Sequence, residues 1–398
     1  MRMGTANTYD SALQNLYARQ SDLATQQEKI TSGKNIIRAS DDPTGAANAE
    51  RALTRLSLVA TEQRALGAQV NSITMAESTL GGAVDLVKDI RDLVVSAGNG
   101  ALNASDRALM AQQMTGLRNQ LLGLANKQDT NGTPLFGGLG SASNPFTDSA
   151  AGLKFEGISG QKASTVVSIP GAMDGQAVWM NVLSGNGTFD IALNASNTGT
   201  VSTDPGQVVS LTSLTGDNYS VTFKVDATTN AATYDVKNTT DGASMSTGNA
   251  YVPGQAIQFD GISFSTAGTP AEGDVLDISN SQKTNVFAIL DQAIASISDP
   301  EGGAKLNQSI SLALTQIDAS MTQIQAARGQ AGDWMNRSDN IDSTQKDRTL
   351  QLTTEKSKAE DLDPVKGLSD FTKFNTNYTI ALQSYAQIQK LTLFNYIS

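Results

Sequence analysis

Few side chains in this sequence could carry out chemistry, and most of those are carboxylates. Asp41 and Asp42 stand side by side before Pro43, a pairing that acid–base or metal chemistry can use. Asp129, with Asn131 and Gly132 behind it, opens like a calcium loop. Gly137-Gly138-Leu139-Gly140 is a glycine run of the kind that wraps phosphate. None of the three completes its motif. Adjacent aspartates diverge, and no His or Lys adjoins them as a partner. The twelfth position of the calcium pattern is Gly140, where a bidentate Glu is needed. The glycine run lacks its lysine and following helix. The chain has no Cys and no His. Thiolate nucleophiles, imidazole bases and Cys/His zinc sites are therefore unavailable to it. Asp41-Asp42 reads as a helix-capping cluster, and the expectation is a non-catalytic protein with no cofactor and no metal.

Charge narrows the partners. The 398 residues carry a net charge of −11, with 28 Lys/Arg against 39 Asp/Glu. Neutralising phosphates needs clustered cations, so no nucleic-acid partner is expected. No apolar run is long enough to cross a bilayer, so no membrane insertion is expected either, and the first residues do not read as a cleaved leader. The excess of acid is local. Residues 141–283 hold 5 Lys/Arg against 13 Asp/Glu, whereas residues 1–140 are balanced at 13 each.

The elements that must position any site fall into three textures. From Ala52 to Val94 an apolar seam runs in alternating three- and four-residue steps through Val59, Leu66, Ile73, Leu80 and Val87, with no proline. That spacing, about 3.5 residues, is a coiled-coil seam. A matching seam runs from Leu306 through Ile317, Ile324, Trp334, Ile341 and Gln345 to Glu355. Gly33 closes a preceding helix, and Ser105 is a candidate cap for one ending near Asp129. Between the arms, residues 141–283 alternate with period two and are punctuated by Gly, Asn, Asp and Pro, which predicts eight to ten short strands. The fold class expected is mainly α with an inserted all-β domain. The N- and C-terminal arms would form a long antiparallel helical rod, with the β module at its outer end. Its carboxylates, Asp235 and Asp277 among them, are expected on a solvated face.

The two terminal helices lie outside the Asp41-Asp42-Pro43 and Asp363-Pro364 breaks. They carry Leu13, Leu16, Leu23 and Ile30 at one end, with Gln20 and Gln27 in the same seam, and Leu382, Tyr385, Ile388, Leu391, Phe394 and Tyr396 at the other. So dense an apolar set on short helices is costly in water, which predicts an intermolecular assembly interface built from these ten apolar and aromatic residues.

The stretch ITSGKNIIRASDDPTGAANAERAL (30–53) resembles the N-terminal signature of the flagellin-related axial proteins of bacteria. The likeness continues through residues 76–107 and LLGLANKQDTNGTPLFGG (121–138) to IQFDGISFSTAGTPAEGDVLDIS (257–279) and the terminal LTLFNYI (391–397). It implies a secreted, extracellular subunit of the flagellum, exported by the type III route without cleavage. Residues 1–40 with 365–398 would form an inner core, coiled on assembly. Residues 41–140 with 284–364 would form the long-helix domain, and 141–283 an outward β domain. The implied role is a structural adaptor between hook and filament. Its partners would be copies of itself in a ring-like layer, an adjacent hook-associated junction protein, flagellin and an export chaperone. A filament flagellin, or a secreted adhesin-like module using the β insertion, remains the alternative at this point.

Overall fold

A computed structural model describes the backbone of residues 5–141, 143–149, 152–300 and 303–397; side chains are described for these except 5–8, 304 and 390–397. Six α-helices and thirteen short strands are present among them. The chain divides into two compact units, residues 1–64 with 341–398 and residues 65–340. Their charges differ: the first holds 15 Lys/Arg and 14 Asp/Glu, the second 13 and 25.

Helix α1 spans Thr5–Ser32, α2 Pro43–Ala97, α5 Gly303–Glu360 and α6 Pro364–Ile397. The long seams are real. Ala52, Val59, Leu66, Ile73, Leu80, Val87 and Val94 on α2 are buried, as are Ile317, Ile324, Trp334, Ile341 and Leu352 on α5. The two helices run antiparallel, because Glu77 pairs with Arg328 while Arg91, further along, pairs with the earlier Asp318 at 2.6 Å. Each helix break has a chemical cause. Gly33 takes φ +69°, a left-handed conformation that only glycine adopts freely, and ends α1. The Oδ1 atom of Asp42 accepts the Thr44 and Gly45 amides and caps α2, whose first residue is Pro43. Asp41 accepts the Ile37 and Arg38 amides, closing the preceding turn. Asp363 caps α6 in the same way through the amides of Val365 and Lys366.

In the second unit, α3 (Ala104–Ala125) is capped by Asn103 rather than Ser105, because the Asn103 side chain reaches the Asp106 amide. The sequence reading gave no separate helix before α5; the structure has α4 at Val286–Ser298, capped by Asn285. Arg118 of α3 joins these pieces. Its guanidinium is buried, pairs with Asp291 of α4 at 3.0 Å and with Asp148, and lies 5.4 Å over the Phe287 ring. Asp148 belongs to a hairpin, β1 (Phe146–Ser149) with β2 (Gly152–Phe155). Beside it Trp179, from a π-helical turn at Gln176–Met180, packs edge-on against Phe136. Residues 146–183 are thus built into the helical core.

The β sandwich follows a two-stranded neck, β3 (Val182–Leu183) paired with β13 (Lys283–Thr284). One antiparallel sheet has the order β4 (Phe189–Leu193), β12 (Val275–Asn280), β7 (Tyr219–Val225), β8 (Ala232–Asn238), β9 (Ser244–Ala250). The other sheet pairs β10 (Ala256–Phe259) with β11 (Ile262–Ala267), to which β5 (Ser202–Thr203) and β6 (Gln207–Val208) add. Phe189, Val221, Phe223, Phe264 and Leu276 fill the space between them. Buried Gln308 of α5 ties the sandwich down, accepting the Thr203 amide and donating to the Ile191 carbonyl. Asp277 is exposed, and Asp235, also on the outer face of its sheet, pairs there with the exposed Lys224 at 2.6 Å and accepts the Gly248 amide.

Two outcomes follow. The paired neck brings Ser184 and Gln282 together, the Ser184 amide donating to the Gln282 carbonyl at 2.9 Å. Replacing residues 185–282 by a short linker should therefore keep the helical circular-dichroism signal and a cooperative melt. Excising 150–280 should destroy the melt, because it removes Trp179. The second outcome concerns acid. Hydrogen bonds from the Thr44 hydroxyl and the Gly45 amide hold the Asp42 carboxyl below its ordinary range, and the Arg38 and Ile37 amides do the same for Asp41. A depressed folded value stabilises above the unfolded pKa, and the gain is lost as pH falls through the folded one. Thermal stability should drop below about pH 4, and Asp41→Ala/Asp42→Ala should flatten that acid limb of a melting-temperature profile.

Candidate assembly interface

Helices α1 and α6 pack against each other within the first unit. Their direction is fixed by two contacts. Near one end the Tyr9 and Tyr385 hydroxyls share a hydrogen bond of 2.6 Å, with ring centroids 5.5 Å apart. Near the other, buried Gln26 donates to the Gly367 carbonyl at 2.9 Å. The helices are therefore antiparallel. The two breaks are stitched to each other by backbone. The Asn35 amide donates to Glu360 at 2.7 Å, the Leu362 amide to Gly33 at 2.9 Å, and Lys34 pairs with Glu360 at 3.3 Å. The hydrogen bond with the Tyr9 hydroxyl raises the Tyr385 phenol above its usual value.

The structure brings together most of the expected interface residues whose side chains are described. Leu13, Leu16 and Leu23 on α1, and Tyr385 and Ile388 on α6, are half-buried. Ile30 is 39% and Leu382 40% exposed. Leu391, Phe394 and Tyr396 lie on the α6 backbone, but their side chains fall outside the described residues. Half-burial is the informative feature. One helix can cover only one stripe of its neighbour, and the rest of the apolar surface stays in water. Tyr17 is 61% exposed, and Val365, Leu368 and Ile380 are exposed as well. Val365 and Leu368 line a shallow groove of about 530 Å³ with Pro364, Ser369 and Thr372.

Sequence reasoning missed two members. It placed Gln27 in the seam, whereas Gln27 is exposed and Gln26 is the buried one. Gln26 is drawn in by the Gly367 carbonyl of the facing helix, a signal that spacing does not carry. Tyr9 was also missed, since its role depends on Tyr385, 376 residues away. The carboxylates set aside as chemistry are occupied structurally. The Asp129 carboxyl is pushed up by burial, yet the Thr133 and Asn131 amides and the Ser72 hydroxyl together bring it below its ordinary value. It closes a turn with all its acceptors engaged. Among the described residues no group of three or more acidic side chains is placed to hold a metal ion.

Comparison with known proteins places these helices. Residues 4–141 match the bacterial flagellin N-terminal helical region and residues 314–397 the bacterial flagellin C-terminal helical region. Flagellar hook-associated protein 3 of Escherichia coli is 23% identical over 407 aligned positions, spanning 99% of each chain. The crystal structure of flagellar hook associated protein-3 from Legionella pneumophila superposes with a TM-score of 0.73 at 26% identity, covering 78% of this chain and 98% of that one. B-type flagellin of Pseudomonas aeruginosa is 26% identical, but over only 34% of this chain and 28% of its own. With more than half of its length matched by the two helical regions and both flanking one β insertion, the chain belongs to the flagellin-related family of axial proteins.

Proposed function

We propose that this protein is the structural adaptor that joins the flagellar hook to the flagellin filament and works outside the cell, in the flagellum. The observation that carries this reading is the pair α1 and α6, whose apolar residues are only half covered by each other. A large side chain contributes roughly 1.5–3 kcal/mol on full burial, so completing the burial of several drives association strongly. The partners that complete it are copies of the same chain in a ring-like layer, an adjacent hook-associated junction protein and flagellin. A chaperone covers the C-terminal stretch before export. On this reading residues 1–40 with 365–398 form the inner core and 41–140 with 284–364 the long-helix domain; of the inserted 141–283, the sandwich beyond the β3–β13 neck is the outward part, while 146–183 join the helical core.

The full-length match to a hook-associated protein supports the adaptor over a filament flagellin, whose likeness stops at about a third of the chain. An adhesin is less well supported. Tyr219 packs on Phe259, and Phe223 on Tyr234 and Tyr251, so these rings are engaged with the sandwich core and not arrayed for stacking sugars.

Deleting residues 389–398 removes the apolar and aromatic end of α6 and leaves the contacts of Gln26, Asn35 and Arg118 in place. The truncated protein should be expressed and folded, yet fail to incorporate. Cells should carry bare hooks and shed flagellin into the medium, as seen by electron microscopy and by blotting the supernatant. Gln387→Ala, at an exposed position, should do neither. Normal filaments on the deletion strain would contradict the adaptor role.

A further inference from the structure

Gln345 lies in the α5 seam, 3% exposed, and among the described residues neither its Oε1 nor its Nε2 has a hydrogen-bond partner. The Oε2 atom of Glu62, on α2, is likewise buried with no partner among the described residues. The two stand at one level. Asn48, Ala52 and Arg55 line a groove with Glu355, Lys358 and Ala359, which sets the antiparallel register within the first unit. Ten residues on from Ala52 is Glu62, and ten back from Glu355 is Gln345, each about 15 Å further along its helix. An apolar seam with unsatisfied polar atoms on both of its helices at one level is a weak plane, since each hydrogen bond lost to water there is uncompensated until the helices part.

The seam on the Ala52 side of this plane is thin. Its buried members on α2 are Ala49, Ala52 and Val59, whereas Leu66, Ile73 and Leu80 continue α2 beyond it. We propose that Glu62 and Gln345 form a polar layer that makes the helix pair 43–62 with 345–360 open and close as a cooperative unit of its own, separately from global unfolding. The device is built into the free subunit and does not depend on the adaptor role.

Hydrogen exchange of the full-length free chain tests it. Amides in 46–60 and 346–358 should exchange through a sub-global opening, at least about tenfold faster than those in 70–94 and 313–338. Gln345→Leu should slow the first set by about tenfold and leave the second unchanged. Gln345→Met, of nearly the same length and without amide groups, should do the same, and it serves if the leucine variant does not fold. A single common exchange rate for both sets in the unmodified chain would overturn the proposal. So would faster exchange in the first set of both variants, because the amide would then be making a stabilising contact.

Discussion

The apolar seam between α2 and α5 is the constraint on which the remaining structure depends. Helices of 55 and 58 residues owe most of their stability to the covering of an apolar stripe. The seam is narrow, one residue in every three or four, so it takes one partner, and the ion pairs Glu77–Arg328 and Arg91–Asp318 show that α5 runs antiparallel along it. Once the seam is closed, Gly33, Asn35, Glu360 and Leu362 are brought side by side, and the strap between the two breaks can form. That strap aims α1 and α6 at each other. Further along, the same seam presents Gln308 to the β sandwich and leaves a second face of α2 for the small core that Arg118 and Trp179 hold together.

The molecule separates charge as it separates texture. The unit containing the terminal helices is nearly neutral, with 15 cations and 14 carboxylates, while the other holds almost twice as many carboxylates as cations. Neutrality suits the proposed packing of these helices against further subunits, because like charges brought together repel. The acidic excess sits where solvent and salt can screen it. Many of its members are engaged locally: Asp274 accepts the amides of Thr198, Gly199 and Ala271, and Asp260 those of Thr215. Acidity in the sandwich is therefore partly a turn-building chemistry and not only a solvated coat.

Periodicity made the long helices legible, since a seam without proline has few other readings, and Asp42-Pro43, Asp363-Pro364 and Gly33 marked their ends through backbone chemistry that is local in sequence. The inserted β region was legible as a class from its alternation. Its division was not. Residues 146–183 share the strand-like texture, yet Trp179 and Phe146 are buried against helices, and nothing within that stretch announces a partner such as Phe287 or Arg118. The cap of α3 was misplaced by two residues because Asn103 and Ser105 are both good caps, and only the reach to the Asp106 amide decides between them. In the interface, leucines at helical spacing were found, whereas Tyr9 and Gln26 were not. Their partners lie in the other terminal helix, and hydrogen bonds at that separation leave no periodic trace.

That the terminal helix pair is a surface waiting to be covered is the central claim, and a thiol probe tests it most directly. The chain has no cysteine, so a single one at Leu368 or Tyr17, both exposed in the subunit, can be read without background. Maleimide labelling of the purified subunit and of intact flagella from the same cells compares the two states at identical positions. The account predicts rapid labelling of the free subunit and protection of at least about tenfold in the assembled flagellum at one or both positions. Equal labelling of both states at Leu368 and at Tyr17 would contradict it.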